Sequence, residues 1–438
     1  MSVGDLGSDG AGAVIRARLG RPPQDMLEAA VVLEAWGGLP AEAALRLGPR
    51  VLLPALRSSD PRRWRPADAE GRSAVVSEGV ALLIAILAIA AWAGPLSSEL
   101  GSNVFEHALR LALPVTLALQ WALRSRYLSR RAGLVCVAED WLGLTLVLVA
   151  VEACVAAVPG FGPVAAMLVA VWGGGTVLTR RGWALGYAGL LIAESIGLAL
   201  GLPALASLAV LTVVTLAMVV VAVATATGAA IAPPGRLSRA LAAGVIGGLL
   251  GGLLVGDPSL GWGIHGAFPA LALVPSVVGS FWGGYHLWQF HQEIPRSLRG
   301  VELSRASASM VRGPATDIVL AALARLIGIT VILSLLVMFV SQWTSGTDAT
   351  SLFVAFGCAA LVCMFVSLLE SLGYVRWALL SAAASLAAEL AVSRWLGDSI
   401  AGAGLIAGGV VGTLLALAPL VGLLRFPGRV LATALWIQ

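Results

Sequence analysis

The sequence predicts an all-α integral membrane protein with about twelve transmembrane helices in two six-helix bundles and both termini in the cytoplasm. Of its 438 residues, 58% are hydrophobic and only 12% are charged, and the mean hydropathy is +0.91. A helix that crosses a bilayer needs about 20 consecutive apolar residues, and the chain supplies such runs repeatedly. Strands of a membrane barrel would alternate polar and apolar residues, and these runs do not.

The N-terminal segment, residues 1–72, is too polar to cross a bilayer. We expect a Gly-rich, disordered start over 1–20, a short helical hairpin over 21–57 and a basic linker over 58–72. The first hairpin helix should end at Gly37, because glycine commonly follows the last helical turn. Such a hairpin is too small to build a core, so it should pack on the inner face of the bundle or hold a partner.

Twelve apolar runs follow this segment, and helices are the structures that satisfy backbone groups inside lipid. The first bundle covers 73–228, a short link covers 229–238, and the second bundle covers 239–438. The predicted spans are 75–94, 104–123, 135–158, 162–179, 183–200, 204–228, 239–256, 263–288, 316–340, 350–372, 377–395 and 399–423.

The arginines set the orientation, because the chain has no lysine. With the N-terminus inside, 25 of the 28 arginines lie on the inner side, and the ratio without the N-terminal segment is still 15 to 1. Basic loops favour the cytoplasmic side. We therefore expect a multi-pass protein of the cell membrane. Its basic character follows from this topology and predicts no nucleic-acid partner.

The connections exclude most enzymes. The outward connections are too short to fold into a domain, and no paired carboxylates, nucleophile motif or metal-ligand cluster stands in any loop. We expect no catalytic residue, no metal and no cofactor. The Gly-rich stretches "GWALGYAG" and "GGLLGG" lie within spans, where small residues let helices approach closely.

Five ionisable residues fall well inside the predicted spans, where charges are costly and usually face a cavity or each other. We expect a substrate or ion pathway between the bundles, in which arginine contacts an anionic group and glutamate takes up a proton or a cation. The alternative is that Arg110 forms a structural pair with a glutamate while the others reach water. The candidates are Arg110, Glu152, Glu194, Arg325 and Glu389.

Several segments resemble a known family. The first two spans read "AVVSEGVALLIAILAIAAW" (74–92) and "HALRLALPVTLALQWALRSRYLSRRAG" (107–133), and the latter ends in an arginine-rich exit. The polar connection "FWGGYHLWQFHQEIPRSLRGVELSRASASMV" (281–311) and the turn "LLESLGYVRWALLSAAASLAAEL" (368–390) complete the pattern. Together they resemble the PelG-type exopolysaccharide exporters of the multidrug/oligosaccharidyl-lipid/polysaccharide (MOP) flippase superfamily.

The resemblance implies two lobes in a V shape that open alternately to each side. The cargo would be a polysaccharide or lipid-linked glycan, and the protein would work in the bilayer beside a cytoplasmic glycosyltransferase. The connection over 289–315 would then be either a surface helix that anchors to headgroups or a gate at the cytoplasmic mouth that stacks on sugar rings. Its candidate residues are Tyr285, Trp288, His291, Arg299 and Arg305.

Two other functions stay open. A small-solute carrier of the major-facilitator type also has twelve spans with both ends inside, but "RSRYLSRRAG" lacks the Asp expected between its second and third spans. The longest inner connection here also follows the eighth span rather than the sixth. The third possibility is a non-transporting membrane scaffold of a polysaccharide synthase, which only the N-terminal hairpin favours.

Overall fold

The chain folds into packed α-helices in a computed structural model. The described residues are 8–19, 26–37, 39–40, 43–44, 47, 70–126, 128–129, 134–135, 137–225, 237–262, 269–282, 308–345, 350–371, 374–396 and 401–424. The predicted all-α class is confirmed. The one sheet in this part is a two-residue antiparallel pair, β1 (Leu128–Ser129) with β2 (Leu134–Val135), in the connection after the second span.

Fourteen helices are numbered in chain order within the described part. They are α1 (Ser8–Leu19), α2 (Met26–Gly37), α3 (Glu70–Leu100), α4 (Ser102–Arg126), α5 (Val137–Ala156), α6 (Gly162–Arg180), α7 (Ala184–Ala199), α8 (Ala204–Ala224), α9 (Leu237–Leu253), α10 (Pro269–Trp282), α11 (Ala308–Ser345), α12 (Thr350–Ser371), α13 (Val375–Leu396) and α14 (Ala403–Leu424).

Each of the twelve predicted spans coincides with one of the helices α3 to α14. Seven of these helices, α3, α6, α8 and α11 to α14, contain stretches long and apolar enough to cross a membrane. Four others (α5, α7, α9 and α10) provide shorter apolar stretches. The remaining helix, α4, is more polar because it carries Glu106, Arg110 and Arg124. The chain is a multi-pass membrane protein.

The outer surface of the helices is apolar. Large side chains such as Leu146 on α5, Val213 on α8 and Phe339 on α11 are about two-thirds exposed. A water-soluble protein rarely exposes contiguous apolar surface of this kind. These side chains face the hydrocarbon of the bilayer, while serines and acidic residues lie inside the packed helices.

The N-terminal segment differs from its prediction. Residues 8–19, expected to be disordered, form helix α1, which packs against α2 through buried side chains that include Ile15 and Leu33. This pair therefore has a small core of its own, which we did not expect. On α2, Val31 is instead buried against the main membrane core. As predicted, α2 ends at Gly37.

The first six membrane helices (α3–α8) and the second six (α9–α14) repeat one packing pattern. In each set the first helix contacts the fourth and the fifth, the fourth contacts the third, fifth and sixth, and the fifth contacts the sixth. The repetition is one of helix packing only, and the two sets show no matching sequence repeat. It gives the residues at equivalent helix ends equivalent neighbours.

Two polar contacts also recur in both sets. At the inner ends, the first and fourth helices are joined by an ion pair: Arg180 with Glu78 at 2.9 Å in the first set, and Arg239 with Glu370 at 3.7 Å in the second. The acidic and basic partners have changed places between the sets. Both pairs hold the same two helices together at the same side of the membrane.

At the outer ends, an acidic residue that follows or ends the first helix accepts hydrogen bonds from the start of the sixth. Glu99 Oε2 accepts from the main-chain N of Ala204 at 2.5 Å and of Leu205 at 3.2 Å. In the second set, Asp257 Oδ2 accepts from the main-chain N of Gly404 at 3.0 Å. These carboxylates satisfy amide groups that the first turn of a helix leaves without a helical partner.

The two sets meet along α4 and α9, which run antiparallel. Glycines of α9 face the α4 backbone: a Cβ on Gly244 would lie 3.3 Å from Ala118 O, and one on Gly251 would lie 2.6 Å from Pro114 Cα. The equivalent contact with the two sets exchanged joins α3, the first helix of the first set, to α10, the second helix of the second set. There the Phe281 ring packs on Gly79. The seam is therefore apolar and close-packed. The "GGLLGG" stretch packs helices as predicted.

Candidate functional site

The predicted pathway residues differ in burial. Glu389 on α13 is fully buried, with 0% of its surface exposed. Arg110 on α4, Glu152 on α5 and Glu194 on α7 are half-buried, and Arg325 on α11 is exposed. These five residues lie on five different helices, and in the described part no ion pair joins any two of them. Glu389 is thus the one that the fold places inside the protein.

Arg110 has a partner on its own helix. Its Nη2 lies 2.6 Å from Glu106 Oε1, one turn earlier on α4. Such a pair spaced by four residues is the arrangement expected of a helix surface. The structure thus shows for Arg110 the structural pair that we had considered as the alternative to a pathway role.

The Glu389 carboxyl group lies where the loop after α9 meets α13 and α14. Both of its oxygens are buried without a well-formed hydrogen bond in the described part, and the main chain of Asp257 lies next to them. A Cβ on Gly256 would lie 2.8 Å from Glu389 Oε2, and one on Gly408 would lie 3.1 Å from Glu389 Cβ. A larger residue at either position would collide with the Glu389 side chain, so glycine makes room for this acid.

A second acid, Asp257, lies beside Glu389 and is also buried, with 1% exposed. Unlike Glu389, Asp257 is satisfied. Its Oδ1 accepts from Ser259 N at 3.0 Å and from Ser259 Oγ at 2.6 Å, and its Oδ2 accepts from Gly404 N.

Glu389 belongs to a polar stripe on α13. Ser381, Ser385, Glu389 and Ser393 recur every four residues, which places them on one side of the helix. Ser381 and Ser385 are fully buried, and Ser385 Oγ donates to Gly408 O at 2.6 Å. The sequence analysis singled out Glu389 alone and missed the serines. Their spacing of four within an otherwise apolar span was the signal.

The pathway was expected between the two bundles, and Glu389 does not lie there. The α9 helix separates it from the seam, because α9 contacts α4 with Gly251 and α13 with Gly252. Continuing the antiparallel register of α4 and α9 by one turn puts Arg110 level with residue 254. Arg110 and Glu389 therefore lie at about the same depth, near the outer end of α9.

The residues proposed for a cytoplasmic gate or surface helix lie outside the described residues. These residues are Tyr285, Trp288, His291, Arg299 and Arg305. Within the described part, no group of three or more His, Cys, Asp or Glu side chains could hold a metal ion.

Comparison with known proteins gives structural matches only. No family model and no curated protein matches the sequence. A MOP superfamily transporter from Pyrococcus furiosus matches with a TM-score of 0.39 and 14% identity, over 82% of this chain and 96% of that one. An outward-facing multidrug resistance MATE family transporter matches with a TM-score of 0.38 and 14% identity over the same shares. MATE in a bent conformation covers 99% of this chain and 98% of its own, with a TM-score of 0.29 and 14% identity.

Proposed function

We propose that this protein is a proton-coupled membrane transporter in which the two six-helix sets move against each other. The observation that carries the proposal is Glu389, an acid fully buried among membrane helices, whose carboxyl group has no ion-pair partner in the described part and lies beside the main chain and the carboxyl group of Asp257. Ionisable residues inside a membrane protein usually mark an ion path or a proton relay. A structural role would be expected to pair the carboxyl group, as it does for Asp257.

The coupling ion is assigned from the surroundings of Glu389. A buried carboxylate without a partner is strongly unfavourable, whereas its protonated form is neutral. Asp257 lies beside Glu389, and two negative charges this close together inside the membrane would repel each other, whereas a protonated Glu389 would not be repelled.

Movement of the two sets is supported by how they meet. Many carriers are built from two repeats, with the substrate passing between them, and both packing and polar contacts repeat here. Phe281 packs on Gly79, and Gly244 and Gly251 pack on α4, so the two sets are closed from the inner side to the outer part of α9. These contacts are van der Waals contacts, which can separate without breaking ion pairs. Opening there would complete an alternating-access cycle.

A polysaccharide or lipid-linked glycan is the cargo that we propose, with export across the cytoplasmic membrane as the direction. This part of the proposal rests on the resemblance of the polar connections to PelG-type exporters. A cytoplasmic glycosyltransferase would then be the partner that supplies the cargo. A small-solute carrier of the major-facilitator type and a scaffold of a polysaccharide synthase are the alternatives.

The proton site is tested on purified protein in proteoliposomes adsorbed to a solid-supported membrane. A pH jump should produce a transient current from proton binding in the wild type, and Glu389→Gln should abolish it. Glu194→Gln is the matched control, because α7 is the fifth helix of its set as α13 is of the other, yet Glu194 is only half-buried. An undiminished current in Glu389→Gln would remove this acid from the mechanism.

The cargo is tested separately in cells. Deletion of the gene should lower extracellular polysaccharide and raise its lipid-linked precursor, and Glu389→Gln should reproduce the deletion at normal membrane abundance. If polysaccharide is unchanged in the deletion, the glycan assignment is wrong. Unchanged polysaccharide together with a surviving pH-jump current would favour the small-solute carrier.

A further inference from the structure

The inner ends of α4 and α6 lie side by side. At their outer ends, the His107 and Phe161 rings are 5.5 Å apart. Halfway down, Leu119 Cδ2 lies 3.0 Å from the Cβ position of Gly173. In both pairs the residue on or next to α6 stands 54 positions after its neighbour on α4. The helices are therefore parallel and in constant register, and this register brings their last residues together.

These neighbouring helix ends concentrate positive charge. The same register places Arg126 beside Arg180, with Arg124 two residues earlier on α4 and Arg181 directly after α6. Glu78 offsets one of these charges through its ion pair with Arg180. The carbonyl ends of two helices offset part of this excess. The remaining positive charge favours the binding of an anion.

Arg181 is the group that lacks a partner. All three of its guanidinium nitrogens are buried without a hydrogen-bond acceptor in the described part, and so is the hydroxyl of Ser125 at the end of α4. This burial lowers the pKa of Arg181 below its ordinary value. Removing a guanidinium from water without pairing it is unfavourable.

We propose that Arg181 binds a phosphate group at the inner membrane surface, with Ser125 as a second donor. Arginine presents a planar set of N–H donors and no acceptor, which matches the oxygens of phosphate in a two-pronged contact. Trp183, two residues further on, is 38% exposed and lies where interfacial tryptophans anchor helices at headgroup depth. The phosphate comes either from the headgroup of an anionic lipid or from a soluble phosphate compound.

The test uses the full chain purified in a neutral detergent. Thermal unfolding is followed while phosphatidylglycerol, phosphatidylcholine or inorganic pyrophosphate is added in separate series. We expect phosphatidylglycerol to stabilise the wild type and phosphatidylcholine, whose phosphate is neutralised by choline, to have little effect. In Arg181→Gln, the apparent affinity should fall about tenfold, as for the loss of a charge-assisted hydrogen bond.

Arg124→Gln is the matched control, because Arg124 is an exposed arginine at the same helix end. It should keep most of the stabilisation. A response to phosphatidylglycerol alone identifies a lipid headgroup, and a response to pyrophosphate identifies a soluble source; either supports a phosphate site if Arg181→Gln removes it. Equal responses in Arg181→Gln and the wild type, or no response to either compound, overturn the proposal.

Arg181→Lys covers the case in which Arg181→Gln does not fold. Lysine keeps the charge but cannot make the two-pronged contact. A weakened response in Arg181→Lys supports the site, and an unchanged response counts against it. The result does not depend on Glu389, so failure here leaves the proton-coupling proposal standing.

Discussion

The main chain of Gly251 on α9 rests on Pro114 of α4: a Cβ at position 251 would lie 2.6 Å from Pro114 Cα and 3.0 Å from Leu113 O. Both neighbours are backbone atoms, which cannot rotate away as a side chain can. The two helix sets therefore meet at a distance that only glycine allows. The close approach of α4 and α9 depends on glycine at position 251.

Gly251→Ala should destabilise the folded protein by about 1 to 3 kcal/mol, the usual cost of overpacking a close contact. Gly189→Ala is the control: nothing lies within 4 Å of its Cβ position on α7, so alanine should be neutral or gain up to about 1 kcal/mol from helix propensity. Thermal unfolding in detergent measures both. Equal melting temperatures for the two variants would show that the seam is looser than the structure has it.

The two inner ion pairs should differ in strength. Arg180 is only 9% exposed and lies 2.9 Å from Glu78, whereas Arg239 is 49% exposed and lies 3.7 Å from Glu370. Glu78→Gln removes the carboxylate partner of a poorly hydrated guanidinium and should cost about 1 to 3 kcal/mol. Glu370→Gln should cost less than about 1 kcal/mol, because solvent screens the exposed partner.

Chemical unfolding of the two variants side by side gives this comparison. The smaller effect should shrink further in high salt, since exposed pairs are screened more strongly than buried ones. A larger loss in Glu370→Gln than in Glu78→Gln would contradict the burial seen at the two helix ends.

The predicted orientation can be checked with single cysteines in a chain that lacks the four native ones. Ser98 near the end of α3 and Ser238 at the start of α9 are both exposed and belong to opposite ends of their sets. In intact cells, a membrane-impermeant maleimide should label Ser98→Cys. It should label Ser238→Cys only after permeabilisation. The reverse pattern would invert the arginine-based topology.

The helices were predictable because length and apolar composition decide whether a segment enters a bilayer. Each of the twelve predicted spans coincides with a helix, from α3 to α14, and seven of these helices are long and apolar enough to cross a membrane. The prediction for the start of the chain was wrong. Its glycine content indicated disorder over residues 1–20, but residues 8–19 form α1, which gains stability from packing against α2. Tertiary contact of this kind overrides local propensity, and a single sequence does not display it.

The burial of each acid was less predictable. Glu194 and Glu389 both sit in apolar spans, yet only Glu389 is fully enclosed. The difference depends on how each helix is rotated against its neighbours, and α13 is fixed by glycines on α9 and α14. Asp257 was missed because it falls in a short predicted outer loop. Its importance comes from Gly404, which is 147 positions later.

The carboxylates that begin α8 and α14 come from far upstream, Glu99 and Asp257 respectively. During synthesis, the amides at the start of the sixth helix of a set find their acceptor only if the first helix of that set is already inserted in the membrane. Biogenesis should thus proceed set by set, with each set completed when its last helix docks. In a chain that ends before Ala204 or before Ala403, Glu99 or Asp257 would lack the main-chain N–H donors of the sixth helix. Such an incomplete set would expose an unpaired carboxylate at the membrane surface, where quality-control proteases can detect it.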